Sequence, residues 1–273
     1  MTLPADLIVD IERKGRRGSA GGMVWRAWGS GRPLVLLHGA SGSWTHWIRN
    51  VLPLAARFEV IAPDVPGFGD SESVPEPHTA ETLADLVADG FSAALSRGEP
   101  FDLAGFSFGG IIGGLVAARL GHRVRTLVLA GAGGLGLPGA TLSPLARVPD
   151  GAPANEIRET HRENLRRLML ADPRAADDLA VHLHIENVRR ARFKSGSIPA
   201  SDVLVRALPA IRARIAGIWG ARDAFVAPDI NARRQCLASV QPGLDFRVIP
   251  GAGHWSIYEA AEEVNAALLD MLG

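Results

Sequence analysis

The sequence lacks features that several broad classes of protein require. Cys236 is the single cysteine among 273 residues, so an internal disulfide is impossible and the composition fits a reducing compartment. Lys and Arg together number 29, as do Asp and Glu, which leaves no excess positive charge for nucleic acid or anionic lipid. We therefore expect neither nucleic acid nor a membrane surface as a partner.

Long apolar runs are also missing. None reaches the roughly 20 residues that a membrane-spanning helix needs, because Arg, Asp, Pro or Gly interrupts the richest segments. Residues 1–17 show no basic segment followed by an apolar block, so no secretory signal is visible and a cytoplasmic location is expected. With 47% hydrophobic and 21% charged residues, the composition predicts a globular chain with a full core.

The sequence does contain short apolar segments that alternate with helix-like segments, a pattern typical of a parallel sheet covered on both faces. Six of these segments predict strands, at residues 33–37, 58–62, 101–104, 124–130, 215–219 and 246–249. Near the N-terminus, residues 7–12 and 23–27 predict two further strands in an antiparallel hairpin, joined by a basic, glycine-containing turn at 13–22. The spacing of apolar residues predicts a helix over 79–95.

More than 80 residues separate the fourth and fifth of these six strands, far more than the about 4 to 6 residues of a common connection. Apolar side chains recur at helical spacing over 155–171 and 174–194 within this stretch. We therefore predict that residues 131–208 form a helical cap, inserted into a core that is built from residues 1–130 and 209–273.

A glycine-flanked serine is the first candidate for chemistry. Gly105-Phe106-Ser107-Phe108-Gly109 lies between a predicted strand and a helix-like segment. A serine in such a sharp turn projects its hydroxyl outward, and glycines on either side avoid collisions with the neighbouring strand and helix. A serine hydroxyl becomes a good nucleophile only when a base takes its proton and an acid orients that base. Ser107 is therefore the predicted nucleophile, and two partners are required.

Both partners follow later strands. Asp223 comes shortly after the strand at 215–219, where its carboxylate would stand at the carboxyl edge of the sheet. His254 is the only one of the eight histidines that follows Asp223, and it has glycines close by. We predict Asp223 as the orienting acid and His254 as the base. Three other acidic residues fit the acid's position less well: Asp202, Asp229 and Asp245.

Attack on a carbonyl creates an oxyanion, which backbone N–H donors must stabilise. Phe108 follows the nucleophile directly, at the predicted start of a helix whose dipole favours negative charge. Ala40 lies among small residues just after the strand at 33–37, where the main chain can approach a ligand closely. The N–H groups of Ala40 and Phe108 are therefore the predicted oxyanion hole.

These motifs resemble, in order and spacing, those of the α/β-hydrolase-fold serine hydrolases over nearly the whole chain. The matching segments are residues 36–39, 63–71, 105–109, 220–223 and 253–254. The resemblance implies an α/β fold with a mostly parallel eight-stranded sheet, helices on both faces and an inserted helical cap. The order Ser107, Asp223, His254 is that of the family's triad. By the same resemblance, Asp64 and Asp70 would brace a loop rather than serve as catalytic carboxylates.

Two branches of that family are set aside. Epoxide hydrolases and haloalkane dehalogenases carry aspartate where this chain has Ser107. Epoxide hydrolases also use tyrosines of the cap, whereas the only tyrosine here is Tyr258, outside the predicted cap.

The sequence predicts hydrolysis of a small-molecule substrate, a small carboxylic ester, through an acyl-enzyme on Ser107. One alternative is a carbon-carbon bond hydrolase that acts on a ring-fission diketone, because Trp255 after the histidine and an arginine-bearing cap helix resemble that family. In this alternative Arg190, or its neighbour Arg189, would bind a substrate carboxylate, and Trp255 would also contact the substrate. Phe106 argues against it, since those enzymes usually place asparagine before the serine.

Two further interpretations stay open. Arg190 can lie on a solvated helix face together with neighbouring charges. The whole chain can also be a noncatalytic ligand receptor on the same fold. A metal site is not expected, because His182 and His184 point in different directions on a helix and no acidic or cysteine cluster accompanies them. No cofactor is expected either.

Overall fold

The structure, a computed structural model, describes residues 3–76, 78–95, 98–139, 142, 144–226 and 229–273. Its centre is one eight-stranded sheet of strand order β1-β2-β4-β3-β5-β6-β7-β8. The pairs β1/β2 and β2/β4 are antiparallel, and all the others are parallel. The strands are β1 (Arg16–Ala20), β2 (Met23–Trp28), β3 (Pro33–Leu37), β4 (Glu59–Pro63), β5 (Phe101–Phe106), β6 (Val124–Ala130), β7 (Arg214–Gly220) and β8 (Asp245–Ile249).

Helices connect most of the parallel strands. The α-helices are α1 (Pro4–Arg13), α2 (Val51–Ala55), α3 (Ala80–Ala94), α4 (Phe108–Leu120), α5 (Ala154–Asn164), α6 (Asp178–Arg190), α7 (Val203–Ala207), α8 (Asn231–Ala238), α9 (Ser256–Glu259) and α10 (Ala261–Leu272). The eight-stranded, mostly parallel α/β fold predicted from the sequence is thus confirmed. In the described part of the chain, no helix has the length and apolar character needed to cross a membrane.

The N-terminal hairpin was predicted in the wrong place. Residues 7–12 form most of α1 rather than a strand, and β1 occupies residues predicted to be a turn. Pro4 stands in the first helical turn, where its missing N–H costs nothing, and Asp6 complements the helix dipole there. Strand β1 has no apolar run of its own. Its pairing with β2 places Gly18 opposite Trp25, whose ring leaves no room for a Cβ on that glycine.

Two apolar clusters cover the two faces of the sheet. Along β3, Leu34 and Leu36 belong to one cluster while Val35 and Leu37 belong to the other, as the alternation of side chains on a strand requires. Every residue of β3 and β5 is buried. The continuous apolar runs that predicted these strands therefore reflect burial on both faces.

The long connection between β6 and β7 carries α5, α6 and α7, together with a π-helical turn at Leu165–Met169 that ends the first predicted helical pattern early. It packs onto loops of the core. The backbone N–H of Trp255 donates to Met169 O at 2.7 Å, and Phe193 lies against the rings of Phe68 and Phe108, with centroids 5.7 Å away in both cases.

Candidate active site

Ser107 occupies the sharp turn between β5 and α4. Its φ angle is +52°, one of two positive values for non-glycine residues among those described, so the backbone is strained there. A Cβ on Gly105 would lie 2.3 Å from Gly109 O, and one on Gly109 would lie 2.4 Å from His38 O. The two glycines are thus required by close approach of backbone segments, as the motif predicted.

The three predicted triad residues meet at the carboxyl ends of β5, β7 and β8. His254 Nε2 lies 2.9 Å from Ser107 Oγ, and His254 Nδ1 lies 2.8 Å from Asp223 Oδ2. Asp223 and His254 are 3% and 5% exposed, so both hydrogen bonds lie in a region of low dielectric, where they are strong. The second carboxylate oxygen of Asp223 accepts the backbone N–H of Phe225 at 2.9 Å, which orients the carboxylate.

Glu259 holds the loop that carries His254, residues 250–255, which we call the histidine loop. The sequence analysis did not identify this glutamate. One of its carboxylate oxygens accepts the N–H groups of Gly253 at 2.7 Å and Ala171 at 3.1 Å, and the other accepts that of Asp172 at 2.5 Å. A single carboxylate therefore ties the residue before His254 to the inserted connection. Nothing in the sequence distinguishes this glutamate from other acids on helices.

The predicted oxyanion donors belong to two segments that meet at Ser107. Phe108 is the first residue of α4, so its N–H has no acceptor within the helix. Neither its N–H nor that of Ala40 donates to another group in the described part of the chain. Gly39, next to Ala40, lies so close to the nucleophile that a Cβ there would be 3.3 Å from Ser107 Cβ. Both N–H groups are therefore free to bind an oxyanion.

Asp64 and Asp70 brace the loop after β4, as the resemblance implied. Asp64 accepts hydrogen bonds from the N–H groups of Trp44 and Asp70 and from the guanidinium of Arg26. Partial burial acts to raise the pKa of Asp70, but the hydrogen bond and charge of Arg26, with Arg190 and Arg17, outweigh it and hold that pKa below its ordinary value. Neither carboxylate contacts the triad through a hydrogen bond in the described residues.

The two predicted substrate contacts have other partners. Arg190 Nη1 donates to Asp70 Oδ1 at 2.9 Å, with the arginine side chain 44% exposed. It lines a cavity of about 620 Å³ whose described lining does not include any triad residue. Trp255 is 1% exposed and its indole Nε1 donates to His46 O at 3.1 Å. The structure therefore does not bring Arg190 to Ser107, and it buries Trp255 as a bridge between two loops.

A group of histidines adjoins the triad, and the sequence analysis missed it. His46 is buried, and burial, reinforced by the charges of His38, His184 and His254, lowers its pKa well below the ordinary value. Burial, with a smaller contribution from His161, lowers the pKa of His184 to about 4. These rings are neutral at physiological pH. Among the described residues, no group of three or more His, Cys, Asp or Glu side chains could hold a metal ion.

Comparison with known proteins identifies the family of the chain. Residues 34–267 match the model of the alpha/beta hydrolase family, and the chain belongs to that family. It is an enzyme of the serine hydrolase fold. Two curated relatives are similar over nearly their whole length. A 2-hydroxy-6-oxo-6-phenylhexa-2,4-dienoate hydrolase of Burkholderia cepacia is 28% identical over 262 residues, with 89% of this chain and 88% of the relative covered.

A 2-hydroxy-6-oxononadienedioate/2-hydroxy-6-oxononatrienedioate hydrolase of Paraburkholderia phymatum is 32% identical over 258 residues, covering 88% of this chain and 86% of the relative. Among solved structures, the meta-cleavage product hydrolase of Pseudomonas fluorescens superposes with a TM-score of 0.75 at 23% identity, covering 94% of this chain and 97% of that one. This structural likeness concerns the fold.

Proposed function

We propose that the chain hydrolyses its substrate by transferring an acyl group to Ser107 and then to water. The triad geometry is the observation that supports this chemistry best. His254 Nε2 lies 2.9 Å from Ser107 Oγ, and His254 Nδ1 lies 2.8 Å from Asp223 Oδ2. This geometry has the nucleophile, base and orienting acid in hydrogen-bonding sequence, as nucleophilic catalysis by serine requires.

In the first half-reaction His254 Nε2 takes the proton of Ser107 Oγ as the oxygen attacks the substrate carbonyl carbon. The resulting oxyanion accepts hydrogen bonds from the N–H groups of Ala40 and Phe108. When the tetrahedral intermediate collapses, the bond to the leaving group breaks and His254 gives its proton to that group. Asp223 keeps the imidazole in the tautomer with a proton on Nδ1 and stabilises the imidazolium.

Water repeats these steps on the acyl-enzyme. His254 takes one proton of the water, the hydroxide oxygen attacks the acyl carbon, and the proton returns to Ser107 Oγ as the acid leaves. The net reaction consumes one water and needs no cofactor.

For the substrate we propose a ring-fission diketone, cleaved at the carbon-carbon bond beside a ketone. The full-length similarity to the two curated relatives, which are named as hydrolases of 2-hydroxy-6-oxo dienoates, supports this choice over the ester that the sequence first suggested. Carbon is a poor leaving group unless its electron pair is delocalised as an enolate. The 2-hydroxydienoate therefore reacts in its 2-oxo form, in which the hydroxyl proton has moved to C5 and a double bond joins C3 and C4. The electron pair of the broken C5–C6 bond then passes through that double bond to the C2 oxygen as an enolate. The enolate takes the proton from His254, and the acyl carbon becomes a carboxylic acid.

A small carboxylic ester is the second candidate, and Phe106 favours it. The residue before the nucleophile is an apolar ring, 1% exposed and 5.2 Å from the His254 ring between centroids, so it offers no polar group to a dienoate. An alkoxide leaving group needs only the proton from His254.

Residues 131–208 are proposed to act as the cap that covers the reacting centre, between core segments 1–130 and 209–273. The contacts of this connection with the loops of Phe68 and Trp255 support that assignment. Loops and insertions over a rigid sheet edge commonly carry specificity.

The experiment compares two substrates that deliver the same acyl group. Attack at the 6-oxo carbon of 2-hydroxy-6-oxo-6-phenylhexa-2,4-dienoate and attack on p-nitrophenyl benzoate both give a benzoyl group on Ser107. We expect kcat/KM for the dienoate to exceed that for the ester, and Ser107→Ala to abolish both activities. A parent protein that hydrolyses only the ester would leave the second candidate, and one that hydrolyses neither would support a noncatalytic receptor.

A further inference from the structure

His46 connects two loops that flank the reacting centre. It lies in the helical turn Trp44–Trp47 that follows β3 and is 5% exposed. Its main-chain oxygen accepts the indole N–H of Trp255, the residue after His254, at 3.1 Å. Its ring Nδ1 accepts the backbone N–H of Gly39, the residue before the predicted oxyanion donor Ala40, at 3.2 Å. His46 thus contacts the loop that carries Ala40, residues 38–43, through its side chain. We call this segment the oxyanion loop. Through its main chain His46 contacts the histidine loop.

The Gly39 hydrogen bond determines the tautomer of His46. A ring nitrogen that accepts an N–H carries no proton, so the proton of the neutral imidazole is on Nε2. His38, His184 and His254, on other segments of the chain, are the ionisable groups that face His46, and burial keeps its ring neutral. In the described part of the chain no acceptor takes the Nε2 proton. Nε2 is not one of the buried polar atoms that lack a partner among the described residues, so its N–H is open to solvent, where a substrate oxygen can replace water.

The His46 ring contacts the chain neighbours of two triad residues. Its centroid lies 5.6 Å from that of Phe106 and 5.2 Å from that of Trp255, the residues adjacent to Ser107 and His254. On its other side the ring is closed off, because a Cβ on Gly42 would lie 2.4 Å from His46 Cε1 and 2.5 Å from Nδ1. Gly42 therefore packs against the Cε1 and Nδ1 edge of the ring, and Nε2 lies outside this contact.

We propose that His46 binds the leaving portion of the substrate, donating a hydrogen bond from Nε2 to the carbonyl oxygen that becomes the enolate oxygen, while Nδ1 positions the oxyanion loop. This rests on the proposed function, since an enolate carries its charge on an oxygen remote from the broken bond, whereas an alkoxide carries it on the oxygen of the broken bond, which His254 protonates. The electron pair of the broken carbon-carbon bond moves toward the oxygen that His46 contacts, and the proton still comes from His254. A donor to developing charge accelerates the step in which that charge forms.

Two substitutions separate the two ring nitrogens. In His46→Asn the amide oxygen reaches the position of Nδ1 and can accept from Gly39, but the donor at Nε2 is lost. In His46→Gln the longer side chain brings an amide N–H to the position of Nε2, and the acceptor at Nδ1 is lost. The measured quantity is the ratio of kcat/KM for 2-hydroxy-6-oxo-6-phenylhexa-2,4-dienoate to that for p-nitrophenyl benzoate.

We expect the ratio to fall about tenfold in His46→Asn, the order of one hydrogen bond, and to stay within about twofold of the parent in His46→Gln. In His46→Gln, kcat should fall for both substrates because the oxyanion loop loses the hydrogen bond from Gly39 N–H to His46 Nδ1. An unchanged ratio in His46→Asn overturns the assignment. A parent that hydrolyses the ester and leaves the dienoate intact refutes the dienoate as substrate and this assignment with it, whereas an unchanged ratio in a protein that cleaves the dienoate refutes this assignment alone.

A second measurement does not depend on the folding of a His46 variant. In Ser107→Ala, which holds the dienoate uncleaved, the imidazole nitrogens of His46 are followed by ¹⁵N NMR. We expect the free protein to show an unprotonated Nδ1 and a protonated Nε2, and addition of the dienoate to shift the Nε2–H resonance. A proton on Nδ1, or an Nε2–H resonance that the dienoate leaves in place, contradicts the proposal.

Discussion

The carboxylate of Glu259 accepts the backbone N–H of Gly253 at 2.7 Å, one residue before His254. The same carboxylate also holds the N–H groups of Ala171 and Asp172, so the inserted connection and the histidine loop share one anchor. The position of the base thus depends on a residue that itself does not touch the reacting atoms. Hydrogen bonds to a charged group are among the stronger ones in proteins.

Glu259→Gln should therefore loosen the histidine loop. An amide in place of the carboxylate turns one acceptor into a donor that faces backbone N–H groups, and we expect a loss of about 1 to 3 kcal/mol in the free energy of unfolding. Urea denaturation measures this, and kcat should fall while the ester and dienoate respond alike. Glu262→Gln, on an exposed side chain of α10, is the matched control. Equal stability in the two variants would show that Glu259 is not an anchor.

Asp223→Asn should reduce kcat by about 10⁴, the scale known for a serine protease triad, because an amide favours the wrong imidazole tautomer. The loss should appear with both substrates, since the orientation of His254 is common to both. Circular dichroism checks that the fold is retained. Parental turnover in Asp223→Asn would mean that another acid orients His254.

Stability should depend on pH through the buried histidines. His184 has its pKa lowered to about 4, whereas an unfolded histidine titrates near 6.5. Between these values the unfolded chain binds a proton that the folded chain does not, so stability falls as the pH is lowered from about 6.5 to about 4. The slope from one such group is at most about 1.4 kcal/mol per pH unit. Denaturation at several pH values measures it, and His184→Gln should flatten the slope. An identical slope in that variant contradicts the expectation.

Arg190→Leu tests the predicted carboxylate contact. Because Arg190 pairs with Asp70 in a partly exposed setting, its replacement should change the free energy of unfolding by about 1 kcal/mol or less. The KM for the dienoate should stay within about twofold of the parent value. A KM that rises strongly for the dienoate and not for the uncharged ester would instead show that Arg190 leaves Asp70 and binds the substrate, as the sequence first suggested.

The parts of the molecule that sequence could predict are those with local causes. The glycines on either side of Ser107 predict the sharp turn there. The positions of Asp223 and His254 follow from the apolar strands that precede them. Strand β3 was recognisable because burial on both faces demands a continuous apolar run. These features needed no knowledge of distant contacts.

Features that depend on distant contacts could not be predicted in this way. A short apolar segment such as that in α1 fits a helix or a strand equally well by pattern, and β1 is stabilised by Trp25 on the paired strand. The pairing of Arg190 with Asp70 joins residues 120 positions apart. His46 accepts the N–H of Gly39 because one turn of the chain brings its ring there. No periodicity in the sequence indicates this contact.

The most direct measurement of the central proposal is mass spectrometry of the acyl-enzyme. The parent protein is mixed separately with 2-hydroxy-6-oxo-6-phenylhexa-2,4-dienoate and with p-nitrophenyl benzoate, quenched in acid within the first turnover and digested. We predict the same benzoyl group on Ser107 from both substrates, and a loss of turnover on the order of 10⁶ in Ser107→Ala. A benzoyl group on any other residue, or full turnover by Ser107→Ala, would contradict the account.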